Sequence, residues 1–162
     1  MARKLSIMDS GWLMMETRET PMHVGGLALF AIPEDAPSDY MESVYRFMVE
    51  VDGVCRPFSQ KIQSRLPGRL DAAWVEDKNF DIDYHVRHSA LPRPGRVREL
   101  LALVSRLHAQ RLDPSRPLWE SYLIEGLEGN RFALYTKMHH SMVDGMAGMH
   151  LMQSRMASSA DE

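Results

Sequence analysis

The residues with the clearest chemical potential stand together near the end of the chain, as His139-His140-Ser141-Met142-Val143-Asp144-Gly145. This stretch follows a predicted strand over residues 131–138. It precedes a small-residue run, Gly145-Met146-Ala147-Gly148, that opens a predicted helix over residues 145–156. A strand-to-helix junction sets side chains at the end of a sheet, where open α/β folds build sites. An imidazole there can exchange a proton near neutral pH, because its unperturbed pKa is about 6.5. Adjacent residues on an extended end point in different directions, so one ring can face a reactant while the other packs. Asp144 can hold the local backbone or pair with a distant cation, and Gly145 permits a tight turn or a close approach. Rival chemistries are weaker. His140 and Asp144 could share a helix face, but a zinc site needs three or four ligands. His23, His85, His88, His108 and His150 offer no companion spacing, so no metal is expected. Ser141 lacks the Gly-x-Ser-x-Gly setting of a nucleophile elbow. Cys55, the single cysteine, has no neighbouring histidine and reads as a structural thiol.

Several elements must position these residues. Residues 5–17 predict a short amphipathic helix with Leu5, Met8, Trp12 and Met15 on one face, ended by Pro21. Residues 23–32 predict a strand whose paired Gly25-Gly26 marks a bulge or a close backbone approach. Residues 39–51 predict a helix with the stripe Met41, Val44, Tyr45, Met48 and Val51, and Asp39 with Glu42 is compatible with a capping box. Short strands are predicted over 58–66 and 72–75, around a turn at Pro67-Gly68. Strict alternation over 80–88 predicts a half-buried strand, with Asp81, Asp83, His85 and Arg87 on its polar side. Residues 96–111 form the strongest helical pattern, with Val97, Leu100, Leu101, Val104, Leu107 and His108 on one face. Residues 118–125 and 131–138 read as a hairpin around 126–130. Interleaved helix and strand signals point to α/β or α+β with a mixed sheet, and the expectation is α/β, a mixed sheet with flanking helices.

The composition excludes much else. At 162 residues, 44% hydrophobic and 25% charged, the chain sits in the globular range and is long enough for one domain with a real core. A net charge of −3 gives no electrostatic case for nucleic-acid binding. The longest apolar stretch, near 27–32, is far too short to span a bilayer. Asp9 interrupts the only candidate signal-peptide core, so a cytoplasmic location is expected. The 13 methionines suit adaptable, lipid-like binding surfaces, though core filling explains them as well.

The motif His139-His140-Ser141-Met142-Val143-Asp144-Gly145 matches the HHxxxDG pattern of the CoA-dependent acyltransferase superfamily. More narrowly, the chain resembles the N-terminal half of a bacterial wax ester synthase/diacylglycerol acyltransferase. Leu5-Ser6-Ile7-Met8-Asp9 with Trp12, and Pro21-Met22-His23-Val24-Gly25-Gly26, resemble that family's N-terminal signature. Arg116-Pro117-Leu118-Trp119 resembles its PLW motif, and the interval from Pro117 to His139 fits.

The resemblance implies a chloramphenicol-acetyltransferase-like N-terminal domain over residues 1–156, the start of an interdomain linker over 157–162, and a C-terminal half outside this chain. It implies transfer of a fatty acyl group from acyl-CoA to a long-chain alcohol or diacylglycerol. His140 would be the general base, with no acyl-enzyme and no cofactor. His139 would be supporting, Asp144 a structural ion-pair member and Gly145 part of the motif loop, while Pro117, Leu118 and Trp119 would shape the substrate pocket. The implied substrates are insoluble in water, so peripheral contact with the inner membrane or lipid inclusions is expected. Trp12, Leu13, Met14 and Met15 are the candidate contact, with packing on the domain as the alternative. Two rival functions stay open: a glycerol-phosphate-type acyltransferase using His139 and Asp144 in an HxxxxD spacing, and a non-catalytic half-domain that binds acyl chains or CoA.

Overall fold

The structure is a computed structural model that describes residues 3–50, 54, 56–64 and 71–142. In chain order the elements are β1 (Arg3–Lys4), α1 (Ile7–Met15), β2 (His23–Ala31), α2 (Tyr40–Val49), β3 (Gln60–Gln63), β4 (Ala73–Glu76), α3 (Ile82–His85), β5 (Val86–Ala90), α4 (Val97–Ala109), β6 (Trp119–Leu127) and β7 (Arg131–His139). A four-stranded sheet has the order β2-β7-β6-β5, and a three-stranded sheet the order β1-β4-β3. β5 runs parallel to β6, while β2 and β6 run antiparallel to β7. This is the mixed-sheet α/β architecture that the interleaved signals predict. In the small second sheet, the predicted strands over 58–66 and 72–75 form β3 and β4, paired antiparallel, and only the edge strand β1 was not expected.

The β6–β7 hairpin is the frame of the molecule. Gly126 (φ 82°), Gly129 (φ 75°) and Asn130 (φ 53°) take the left-handed backbone that its turn requires. On one face of the sheet, Tyr122, Ile124, Ala133 and Tyr135 pack against Leu100 of α4, with Leu103, Val104 and Leu107 at the margin. Fully burying a side chain such as Leu100 is worth about 1.5–3 kcal/mol. Register sets His23, Gly25 and Leu27 of β2 opposite His139, Lys137 and Tyr135 of β7, so their side chains share that face. Gly25 is there because the helix comes close. A Cβ at this position would lie 2.7 Å from the Tyr135 hydroxyl and 3.1 Å from His108 Nδ1. The glycine pair therefore marks a close approach, and the register of β2 on β7 runs through it without a break.

Some expectations need correction. Residues 80–88 do not form one strand. Asp81 accepts a hydrogen bond from the Asp83 N–H and starts the short helix α3; only from Val86 does the chain become β5. A side-chain cap competes with strand geometry here, and alternation alone cannot register it. His85, expected on the polar side, is buried, its Nδ1 donating to the Trp119 carbonyl at 2.7 Å and its ring in a three-ring cluster with Phe80 and Trp119. Asp39 precedes α2 but makes no side-chain cap. The capping box forms instead at α1, where Ser6 Oγ accepts from the Asp9 N–H and Asp9 Oδ2 accepts from the Ser6 N–H. The stripe assigned to α1 is rotated. Leu13 is the buried residue, packed with Leu112 and Leu118, while Met8 and Met15 are exposed. On α4, Val97 and Leu101 are likewise exposed rather than inward. The predicted helix over 145–156, the turn at Pro67-Gly68, and Cys55 lie outside the described residues.

Candidate active site

The end of β7 carries the histidine pair. The hairpin delivers it there: the His139 N–H donates to the Leu118 carbonyl and the His140 N–H to the Met22 carbonyl, both at 2.9 Å. The backbone of the pair is thus held from the β6 side and from the β2 side.

The two rings occupy different environments. His139 continues the inward face of β7 and is fully buried. Its Nδ1 accepts the Ser141 backbone N–H at 3.1 Å, and the Ser141 hydroxyl lies 2.8 Å from the same nitrogen. A backbone N–H can only donate, so in the neutral ring the proton sits on Nε2. Nε2 faces Glu16 Oε1 at 3.8 Å. His140 is only partly buried. Its ring stacks on Trp12 of α1, with centroids 4.6 Å apart and planes 18° from parallel. Among the described residues, neither of its ring nitrogens has a hydrogen-bond partner. One imidazole is therefore locked inside, and the other is held by its backbone and one ring face with both nitrogens available.

A charged layer lies beneath the pair. Glu16 Oε2 accepts from Arg111 Nη2 at 2.7 Å, and Oε1 accepts from the Met22 N–H at 3.3 Å. Burial pushes the Glu16 carboxyl up. The Arg111 and Met22 hydrogen bonds and the His139 ring outweigh it and hold the group below the ordinary carboxylate value. His23, opposite His139 in register, places Nε2 2.7 Å from the His108 carbonyl, and burial holds its pKa down. Lys137, one turn of the pleat before His139, is also fully buried. Its ammonium donates to the carbonyls of Leu107 and Gln110 at 2.9 and 2.8 Å, and lies 3.2 Å from Glu120 Oε2.

The sequence-predicted residues divide accordingly. Pro117, Leu118 and Trp119 come together with the histidine pair at the start of β6, but their side chains are buried by protein. Leu118 packs against Leu13 and Leu112, and Trp119 donates from Nε1 to the Phe58 carbonyl at 2.8 Å. Asp144 and Gly145 lie outside the described residues. Glu16 and Arg111 were missed. They are 95 residues apart, so no local pattern links them. Of the candidate lipid contacts, Trp12 and Leu13 follow the packing alternative: the first covers His140 and the second is core. Among the described residues, no group of three or more His, Cys, Asp or Glu could hold a metal ion.

The family model for the wax ester synthase/diacylglycerol acyltransferase catalytic domain matches residues 5–162. The chain belongs to that family. Within the wax ester synthase/diacylglycerol acyltransferases, it is 44% identical over 161 residues to the O-acyltransferase WSD of Acinetobacter baylyi, covering 99% of this chain and 34% of that protein. The solved wax ester synthase/diacylglycerol acyltransferase from Marinobacter aquaeolei VT8 superposes with a TM-score of 0.91 at 44% identity, over 99% of this chain and 38% of that one. The first condensation domain of the calcium-dependent antibiotic synthetase shares the fold, with a TM-score of 0.66 at 16% identity over 99% of this chain and 40% of that one. The chain spans about a third of the length of the curated relatives it matches, 34% in the Acinetobacter case.

Proposed function

We propose that this chain is the N-terminal part of an O-acyltransferase that moves a fatty acyl group from acyl-CoA to a long-chain alcohol or diacylglycerol, with His140 as general base. The observation that carries this reading is the contrast between the two rings in a chain of this family. His140 keeps both nitrogens available, while His139 is buried with Nδ1 engaged. In the reaction, the alcohol oxygen attacks the thioester carbonyl carbon as His140 takes the hydroxyl proton. The C–S bond then breaks, and the imidazolium returns the proton to the CoA thiolate. Acyl-CoA and the alcohol are consumed; ester and free CoA are released, with no cofactor and no acyl-enzyme. The same contrast argues against His139 as base, and so against the glycerol-phosphate-type alternative.

His139 supports its neighbour from the core. Asp144 is assigned an ion pair that shapes the motif loop, and Gly145 the turn within it. Pro117, Leu118 and Trp119 act on the substrate pocket from behind, through the backbone they share with His139, rather than as lining. Residues 1–156 form the N-terminal domain and 157–162 begin the linker to a C-terminal half that completes the site. No helix among the described residues is long and apolar enough to cross a membrane. Attachment to a cytoplasmic lipid surface is peripheral, and Ile7, Met8, Met14 and Met15, exposed on α1, are the residues for it.

The test is thiol release from acyl-CoA by the complete polypeptide. His140→Ala is expected to lower kcat by about 10²–10⁴-fold, the usual worth of a general base. His139→Gln should fold less stably but retain more turnover. Near-normal kcat in a folded His140→Ala protein overturns the assignment.

A further inference from the structure

We propose that Glu16 and Arg111 form a positioning unit for the histidine pair, an inference that rests on the acyl-transfer reading above. Glu16 is the residue that closes α1. Its carboxylate joins separate segments of chain at one point. Arg111, just beyond α4, donates to Oε2 at 2.7 Å, and the Met22 N–H, just before β2, donates to Oε1 at 3.3 Å. The other side of Met22 does the second half of the task, because its carbonyl accepts the His140 N–H at 2.9 Å. The same Oε1 faces His139 Nε2 at 3.8 Å, opposite the nitrogen that Ser141 engages. One carboxylate therefore sets the buried ring through its field and the working residue through the backbone of Met22, whose N–H and carbonyl lie in successive peptide units.

The helix that ends at Glu16 also carries Trp12, whose indole covers the His140 ring. If α1 were released at Glu16, the ring would lose its face partner and its backbone anchor together. The burial of the carboxylate argues for such a role over a mere surface contact, although the Arg111 side chain is 38% exposed. The Glu16 side chain is only 7% exposed, and an ion that far out of water costs stability unless its partners are well placed. The Glu16 charge also reaches His23 of β2, which feels Lys137 of β7 as well. Neither replaces the Arg111 hydrogen bond to Glu16.

The experiment uses the complete polypeptide and measures kcat and KM per folded molecule, alongside the melting temperature. Glu16→Gln keeps the shape and removes the charge. Its kcat should fall about ten-fold or more, since displacing a reacting group by about 1 Å can cost about 10²-fold. KM for acyl-CoA and for the alcohol should stay within about two-fold, the pattern of an effect on the chemical step rather than on binding. Arg111→Gln should act in the same direction, and the double variant should be no worse than the poorer single, as for residues acting as one unit. Full kcat in folded Glu16→Gln overturns the proposal, and so does a change confined to KM. If Glu16→Gln does not fold, folded Arg111→Gln with full kcat overturns it. Loss of turnover in His140→Ala with full turnover in Glu16→Gln discards this inference alone; persistence of turnover in His140→Ala discards the base assignment.

Discussion

At the scale of single residues, the division of labour between neighbouring imidazoles follows from strand geometry. Along β7, residues 133, 135, 137 and 139 face α4, so His139 enters the core by parity and His140 turns away from it. Ser141 then completes the inner ring's environment, offering its N–H and its hydroxyl to the same nitrogen. That position explains why a serine beside a histidine need not be a nucleophile, since its hydroxyl is committed to His139 and is itself buried. Ser141→Ala should keep turnover within about ten-fold, well short of the loss expected from a missing base. Intact-mass analysis during turnover should show no acylated protein. An acyl group on Ser141 would replace direct transfer by a two-step mechanism.

Among elements, the important joint is between α4 and the sheet. The last carbonyls of a helix lack intrahelical donors. At α4, Lys137 supplies them from the sheet, donating to Leu107 and Gln110 while Glu120 balances its charge. Tyr122 donates to Glu120 Oε2 at 2.6 Å and accepts from Arg87 Nη1 at 3.1 Å, so the carboxylate is also satisfied. Burial draws the Lys137 pKa down, and Glu120 works against it. The joint places Arg111 at the exit of α4, where it meets Glu16. Lys137→Met should lower stability by about 3–5 kcal/mol, because Glu120 is left as a buried charge without its ammonium. A urea titration of Lys137→Met, with Glu120→Gln added to relieve part of the loss, checks this.

For the whole molecule, the buried histidines and carboxylates set the pH response. Burial holds His23 and His85 below their ordinary value of 6.5. The unfolded chain therefore binds protons that the native state refuses, and stability falls as pH drops below about 6.5. Glu16, Asp77 and Asp113 are held below 4.5, 3.8 and 3.8 respectively, against burial that raises each, by hydrogen bonds and nearby cations. Their contributions are present above those ordinary values and are lost as pH falls through the lower native ones. Urea midpoints should decline from about pH 6.5 downward, steepening below about pH 4.5. An unchanged midpoint between about pH 7.5 and 5.5 would show that both histidines titrate in the native state as they do in the unfolded chain.

Much of this arrangement was legible in the residues alone. The hairpin over 118–138, the helix ending near Arg111, the strand with Gly25-Gly26, and the opposite facing of His139 and His140 all follow from periodicity, turn residues and parity, which are local properties of the chain. The tertiary structure decided what parity cannot reach. It turned His85 inward through the Trp119 carbonyl, rotated α1 so that Leu13 is buried and Trp12 covers His140, and brought Glu16 to Arg111. Each of these depends on a partner distant in sequence. A residue's type limits which bonds it can make, whereas the packing of helices on the sheet selects the partner that makes them.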